Sequence, residues 1–118
     1  MSNNSQKSGQ KDALAGVRVL DFTSMMAGPY CTRLLADLGA EVIKIEPLKG
    51  DYMRFQPPLR GECSRYFGHL NAGKKSIAVD LKSEAGIEVI RSLVASSDVV
   101  VENFRPGVMA RLVLNYES

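Results

Sequence analysis

Three side chains suited to binding an organic ligand, Asn103, Phe104 and Arg105, directly follow the valine-rich run at residues 98–102. That run is apolar enough to be a short parallel strand buried on both faces. In open α/β sheets, ligands bind at the carboxyl ends of the strands. An amide, an exposed aromatic ring and a guanidinium at that edge could hold a heterocycle and a phosphate, with a plain turn as the alternative.

Two other segments are candidates for ligand contacts. The turn Asn71–Ser76 carries the adjacent Lys74 and Lys75, which could contact a phosphate or stand in a solvated turn. Glu46 ends an apolar run where dinucleotide-binding folds carry a ribose-binding acid. The glycine fingerprint of those folds is missing, because the turn Thr23–Pro29 reads TSMMAGP, and we therefore interpret Glu46 as a solvated strand end. That turn still precedes a helix, whose free N–H groups attract anions or polar ligand atoms.

The residue types needed for metal binding or nucleophilic catalysis are sparse. A zinc site needs about four grouped ligands, and the chain has one histidine, His69, and two cysteines outside any CxxC pair. Ser24 and Cys31 are poor nucleophiles, since no paired base is encoded near them. The sequence therefore predicts no metal site and no catalytic residue, and His69 is assigned a surface or packing role.

An α/β scaffold is predicted to position these residues. Strands are predicted at 17–22, 41–46, 76–81 and 98–102, with helices at 27–39 and 84–96 and a short one opened by Pro106. Strand, helix and strand in so short a span form a βαβ unit, in which the two strands are parallel. The whole order predicts an open α/β sheet.

The helix patterns also predict ends and buried faces. Pro29 suits the first helical position, and Gly39 suits the position after the last turn. Ser83 is a favourable N-cap for the second helix, with Glu84 in the first turn. Helical spacing predicts that Cys31, Leu34, Leu35 and Leu38 form one buried face, and that Ile87, Ile90 and Val94 form another with Leu93 beside them.

Residues 47–75 interrupt this pattern. Prolines and glycines break the periodicity, and six basic residues face only two acidic ones. A short helical turn is predicted at 66–70. An irregular stretch of this length in a small domain is either functional or mobile.

Length and composition restrict the class of protein. The chain has 118 residues, 45% hydrophobic and 24% charged, with a net charge of +2. These values fit one globular domain and give no support for nucleic-acid binding. No run is long enough for a membrane span. The polar start lacks the features of a signal or transit peptide, so we expect residues 1–12 to be a disordered tail or leader, residues 13–118 to form the domain, and the location to be cytoplasmic.

Four ordered blocks carry a resemblance to a known family. They read LAGVRVLDFTSMMAGPYCTRLLADLGAEVIKIE, GDYMR, YFGHLNAGKKSIAVDLK and DVVVENFRPGVMARL, and together they span residues 14–112. In content, order and spacing they resemble the class III CoA-transferases, which include formyl-CoA transferase, carnitine CoA-transferase and the bile-acid-inducible F proteins.

The resemblance implies a fold and a reaction. It implies a Rossmann-like, mainly parallel sheet, of which this chain is the N-terminal segment, and a homodimer of interlocked chains. Members take acyl-CoA as substrate with no permanently bound cofactor, and an Asp attacks the thioester before a second carboxylic acid receives CoA. Because family chains are several times longer, the resemblance puts that Asp beyond residue 118, so this chain alone is expected to be inactive.

The resemblance also implies which residues contact CoA. Arg111 is the expected partner for a phosphate. Pro47 stands where formyl-CoA transferase has a basic residue, so one phosphate contact is expected to be absent or to move to Lys49. The residues carried over as CoA contacts are Ser24, Met25, Met26, Ala27, Val79, Lys82, Asn103, Phe104, Arg111 and Leu112.

Two alternatives remain open at this point. An acyl-CoA racemase shares the fold and the AGP, VDLK and RxGVM elements, but usually lacks the YF…N block. A non-catalytic module that binds CoA or a partner chain is the other alternative. The acceptor acid is not readable from these residues.

Overall fold

The computed structural model describes residues 12–112, and an α/β sheet with mainly parallel strands is confirmed. The tail predicted for residues 1–12 lies outside the described residues except for Asp12, as does the predicted domain end at 113–118. In chain order the elements are β1 (Arg18–Asp21), α1 (Ala27–Asp37), β2 (Glu41–Glu46), a 3-10 helix (Tyr52–Phe55), β3 (Leu59–Arg60), β4 (Cys63–Ser64), α2 (Arg65–Leu70), β5 (Lys75–Ala78), α3 (Glu84–Ala95), β6 (Val99–Val101) and α4 (Val108–Arg111).

The main sheet has the strand order β5-β2-β1-β6, and every neighbouring pair is parallel. The chain first adds strands on one side of β1 and then crosses to its other side with β6. The strand order therefore reverses between β1 and β6. Such a switch point opens a crevice at the carboxyl ends of the two strands, where ligands bind in open α/β sheets.

Helix α1 begins at Ala27, with Met26 as N-cap, so the prediction that Pro29 is its first residue is wrong. Pro29 consequently occupies the third helical position, which tolerates proline because first-turn N–H groups have no partner within the helix. At the other end the prediction is confirmed. Gly39 follows the C-cap Leu38 with φ +104°, a backbone conformation that favours glycine.

The buried face predicted for α1 is wrong. Leu34 and Leu38 are 44% and 50% exposed and Cys31 is exposed, so only Leu35 of the predicted set packs against the sheet. The helix instead buries the adjacent stripe through Thr32, whose hydroxyl donates to Asp21 Oδ2 at 2.7 Å. This hydrogen bond from a polar residue sets the rotation of the helix, and apolar spacing does not reveal it.

The start of α3 and most of its predicted buried face agree with the structure, but the helix ends at Ala95 and Ile87 is only half-buried. Ser83 caps the helix by accepting a hydrogen bond from the Gly86 N–H at 3.0 Å. Ile90 is fully buried in the main core, and Leu93 and Val94 pack against that core beside it. The remaining buried members of this core cluster are Leu20, Phe22, Ile45 and Val79.

Gly86 lets the first turn of α3 approach the preceding loop. A Cβ atom added at Gly86 would lie 1.9 Å from the Asp80 carbonyl oxygen, so the backbone must move to accommodate it. We expect Gly86→Ala to lower the free energy of unfolding by about 1–3 kcal/mol. Gly68→Ala, in α2, is the matched control because a Cβ there meets nothing within 4 Å. Urea denaturation measures both, and equal stability of the two variants would contradict the expectation.

Strand β6 was predicted to be internal and buried on both faces, and this is wrong for the described residues. It pairs with β1 on one side only, and Val99 and Val100 are 41% and 39% exposed. An apolar run of this kind indicates that a strand can be buried, but it does not show whether another strand or helix packs against it.

The irregular stretch between β2 and β5 contains short elements. The helical turn predicted at 66–70 is confirmed as α2, whose N-cap Ser64 accepts a hydrogen bond from the Phe67 N–H. The 3-10 helix and the β3–β4 hairpin precede it. The 3-10 helix is tied to the end of β2, because Arg54 binds Glu46 and Asp51 binds Lys44.

Candidate functional site

A groove of about 780 Å³ lies at the carboxyl ends of the parallel strands. Phe22, Thr23 and Ser24 follow β1, and the other lining residues come from the segments after β2 and β5, with Phe104 after β6. This is the edge where the strand order predicts a ligand site. Among the residues assigned to CoA by resemblance, those that line this groove are Ser24, Val79, Lys82 and Phe104.

Asn103 joins the two sides of the switch point. Its Oδ1 accepts a hydrogen bond from the Ser24 N–H at 3.1 Å, and its Nδ2 donates to the Ser24 carbonyl at 2.9 Å. The structure thus brings together two predicted site residues that are 79 positions apart. In this arrangement the Asn103 side chain holds the loop after β1.

The prediction that Phe104 is an exposed ring is wrong. It is half-buried, packs against the main core and meets Phe22 edge to face, with ring centroids 6.3 Å apart. Its remaining surface faces the groove, beside Val79, which is itself buried. Together these side chains give the groove an apolar wall.

A second groove, of about 630 Å³, adjoins the first. The two share Leu81 and Lys82, and the second continues along α3 to Arg111 and Leu112. Arg91 adds a third cation, while Glu84 and Glu88 stand on the same wall. The structure therefore gathers the predicted Lys82, Arg111 and Leu112 around one depression.

Four predicted contacts lie outside these grooves: Asn103, whose side chain is bonded to Ser24, and the three residues Met25–Ala27. Met25 and Met26 are 49% and 54% exposed, and Ala27 begins α1 beside them. Met25 has φ +69°, a left-handed conformation that is uncommon for a residue other than glycine. Met25, Met26 and Ala27 follow Ser24 directly and connect the loop after β1 to helix α1.

Lys49, the suggested substitute for a missing basic residue, lines the large groove together with Pro47. It contributes an ammonium group to this groove. The large groove consequently has two cationic lining residues, Lys49 and Lys82.

One of the two lysines considered as phosphate contacts, Lys74, is instead part of a buried ion pair. Lys74 is not a phosphate contact, because its Nζ is buried and donates to Asp21 Oδ2, Asn71 Oδ1 and the Pro29 carbonyl at 2.7–3.0 Å. Burial lowers the pKa of Lys74, and Asp21 partly opposes that effect. Burial alone would raise the pKa of Asp21, but hydrogen bonds from Thr23, Thr32 and Lys74 outweigh it and lower the pKa. Lys75 is exposed and pairs with Glu41.

Glu46 is not a solvated strand end. It is only 3% exposed, and Arg54 binds both its carboxylate oxygens at 2.6 Å while Ser76 also donates to it. Burial favours the neutral acid, but the hydrogen bonds from Arg54, Ser76 and the Asp51 N–H hold the pKa of Glu46 at about 2. The Arg54 guanidinium also lies 4.0 Å from the centroid of the Phe67 ring. Glu46 therefore ties the irregular stretch to the sheet.

Sequence reasoning missed this buried network, although a signal was present. Asp21 and Lys44 are charged residues inside otherwise apolar runs, and such groups are buried only when they are paired. Lys44 Nζ bonds Asp51 Oδ2 at 2.9 Å, and Lys74 bonds Asp21. Within residues 12–112, every buried side-chain nitrogen and oxygen has a hydrogen-bond partner.

Of the groups considered for catalysis or metal binding, Ser24 lines the large groove, whereas His69, Cys31 and Cys63 lie outside both grooves. His69 stacks on Tyr30 and contacts Arg33, and Cys31 and Cys63 are exposed thiols. In the described part of the chain, no cluster of three or more potential metal-ligating side chains occurs. Over the same residues, no helix combines the length and hydropathy needed to cross a bilayer.

Comparisons with known proteins identify the family. The family model described as CoA-transferase family III matches residues 14–118. The chain is 45% identical over 111 residues to the succinyl-CoA:mesaconate CoA-transferase of Haloarcula hispanica, covering 90% of this chain and 28% of that protein. It is 49% identical over 108 residues to the formyl-CoA:oxalate CoA-transferase of Afipia carboxidovorans, with coverages of 90% and 26%.

A solved structure agrees with these relatives. The crystal structure of a CAIB/BAIF family protein from Brucella suis superposes with a TM-score of 0.85 at 42% identity, over 92% of this chain and 30% of that one. The chain thus spans under a third of the length of these relatives. Because the family model matches almost the whole sequence, this chain belongs to CoA-transferase family III.

Proposed function

We propose that this chain forms the CoA-binding surface of an enzyme that transfers CoA between carboxylic acids. The observation that carries the proposal is the large groove at the β1–β6 switch point, in a chain of this family. Residues 13–118 act as one unit in this proposal. The homodimer that the resemblance implies and the cytoplasmic location expected from the polar start stay predictions.

The chemistry of CoA matches what the two grooves present. CoA joins an apolar, amide-containing arm to a phosphorylated nucleotide, so its site needs apolar walls beside fixed cations. Phe22, Phe104 and Leu81 supply the apolar surface. Lys49 and Lys82 in the large groove and Arg111 in the second supply cations for phosphate oxygens.

In the proposed reaction, an enzyme carboxylate attacks the acyl-CoA thioester, which forms an acyl anhydride and releases the CoA thiolate. The thiolate then attacks the carboxyl carbon of the enzyme residue, so the first carboxylic acid leaves and CoA is held as a thioester on the enzyme. A second carboxylate attacks that thioester to form a new anhydride, and the released CoA thiolate attacks the second acid's carbonyl, which frees the enzyme carboxylate.

The buried aspartates of this chain are unsuited to the role of the attacking enzyme carboxylate. Asp21 is fully buried and bonded to Thr23, Thr32 and Lys74, and Asp51 is buried against Lys44. Asp80 lines the large groove, but it does not occupy the position that the resemblance gives the nucleophilic Asp. As the resemblance implies, we propose that residues 12–112 bind CoA and that the nucleophile lies beyond residue 118.

The relatives named above act on different acids, mesaconate in one case and oxalate in the other. Nothing in the two grooves selects between such acids. The proposed function is therefore the binding of an acyl-CoA, and the identity of its acyl group and of the acceptor acid is not assigned.

Calorimetric titration of CoA into the full chain tests the proposal. We expect Arg111→Ala to weaken CoA binding about tenfold to a hundredfold, because a charge-assisted contact contributes about 1.5–3 kcal/mol. Arg60→Ala is the control, since Arg60 lies on the exposed β3–β4 hairpin outside both grooves. Equal affinity of Arg111→Ala and the unmodified chain would remove Arg111 from the site, and no binding by the unmodified chain would refute the proposed function.

A further inference from the structure

The backbone of Thr23 and Ser24, which begins the loop after β1, is held entirely by side chains from other positions. The Thr23 N–H donates to Asp21 Oδ1 at 2.8 Å, and the Thr23 carbonyl accepts from Lys44 Nζ at 3.0 Å. Asn103 bonds both the N–H and the carbonyl of Ser24. All four polar backbone groups of this dipeptide therefore have side-chain partners, which fix the direction in which the chain leaves the strand.

Lys44 has the most unusual environment among these partners. It rises from β2, its side chain is 1% exposed, and its ammonium group bonds only two groups in the described chain, the Thr23 carbonyl and Asp51 Oδ2. Asp51 Oδ1 accepts from the Met53 N–H at 2.8 Å, which starts the 3-10 helix. Lys44 therefore links the loop after β1 to the irregular stretch, which also lines the groove.

Packing alone does not explain a lysine at this position. Desolvating an ammonium and a carboxylate costs free energy, and a well-packed apolar pair of similar volume is often as stable or more stable. What an apolar side chain could not do is donate a hydrogen bond to the Thr23 carbonyl. That bond acts on the residue next to Ser24, which lines the groove.

We propose that Lys44 is a positioning residue for the CoA site. It fixes the Thr23 carbonyl, and through it the conformation of the loop Ser24–Ala27, while Asp51 balances its charge. This inference rests on the proposed function for its effect on CoA, but its effect on the loop stands on the geometry of the chain alone.

A double variant separates positioning from folding. Lys44→Met alone leaves Asp51 buried without its cation, so its instability would be uninformative. Adding Asp51→Asn removes the buried charge and keeps an acceptor for the Met53 N–H. If Lys44 positions the loop, the double variant recovers stability but still lacks a donor for the Thr23 carbonyl.

The experiment compares Lys44→Met, the double variant and the unmodified chain by urea denaturation, amide NMR and CoA titration. Lys75→Met is the control, because Lys75 is also ion-paired but is 71% exposed at the start of β5. We expect the double variant to regain stability, to show shifted, faster-exchanging amides at Ser24–Ala27, and to bind CoA at least tenfold more weakly. The control is expected to change none of these.

Unchanged loop amides in a folded double variant would overturn the inference, whatever happens to CoA. A double variant that fails to fold would also overturn it, by assigning Lys44 to stability. If the loop amides move but the unmodified chain binds no CoA, the proposed function fails while the positioning of the loop by Lys44 is supported.

Discussion

Replacing Asp21 by Asn is expected to lower the free energy of unfolding by about 3–5 kcal/mol, because it leaves the Lys74 ammonium buried without a carboxylate. The two side chains are fully enclosed, and the Asp21 Oδ2–Lys74 Nζ distance is 2.9 Å. Asn has nearly the same size as Asp, so the loss reports the missing charge and one missing acceptor oxygen, and not a cavity. Urea denaturation followed by circular dichroism measures the change.

Two further variants test the cause of that loss. Adding Lys74→Met to Asp21→Asn removes the stranded cation and is expected to restore part of the stability. Asp37→Asn breaks an ion pair with Arg33 at 3.6 Å in which Asp37 is 51% exposed, and we expect it to cost at most about 1 kcal/mol. Equal effects of Asp21→Asn and Asp37→Asn would contradict the importance of burial.

Acid is expected to destabilise the chain through Glu46. Its pKa is about 2 in the folded chain against an ordinary value of 4.5, so the folded state favours the ionised form. A depressed carboxyl pKa stabilises the fold above pH 4.5, and that contribution is lost as the pH falls from 4.5 towards 2. At neutral pH it amounts to about 3 kcal/mol, since each pKa unit corresponds to about 1.4 kcal/mol and the partly exposed Arg54 is screened by solvent.

Glu46→Gln removes this titration. The stability difference between the unmodified chain and the variant is expected to be largest near pH 6 and to shrink between pH 4.5 and 2. Urea denaturation across that range measures the difference, with the exposed Glu62→Gln as control for acid effects elsewhere. Parallel stability curves for the unmodified chain and Glu46→Gln would show that the Arg54–Glu46 pair does not control the acid response.

The parts of the fold that depend on local sequence could be predicted. The run 41–46 gave the correct strand bounds, Ser83 was identified as the cap of α3, and Gly39 as the end of α1. Each of these features depends on backbone or side-chain preferences within a few residues. The position of Asn103 at the carboxyl edge of the sheet could also be predicted, because it follows from the order of strands and helices along the chain.

What failed depends on residues far away in sequence. The buried stripe of α1 is set by Thr32 reaching Asp21, and the exposure of β6 by which strands neighbour it. The role of Lys74 was misread because its partner, Asp21, lies 53 residues earlier in the chain. A lysine on a glycine-containing turn has the same local pattern whether it binds a phosphate or a buried carboxylate.

The contact between Ser24 and Asn103 has a consequence for the order in which the molecule folds. Their hydrogen bonds close a loop of 79 residues, whereas the β1–α1–β2 unit brings together residues much closer in the chain. Closing a longer loop costs more chain entropy, so local units are expected to assemble before this contact forms. The ligand groove is then completed in a late step of folding, and a ligand that binds only the completed groove pulls this step forward by mass action.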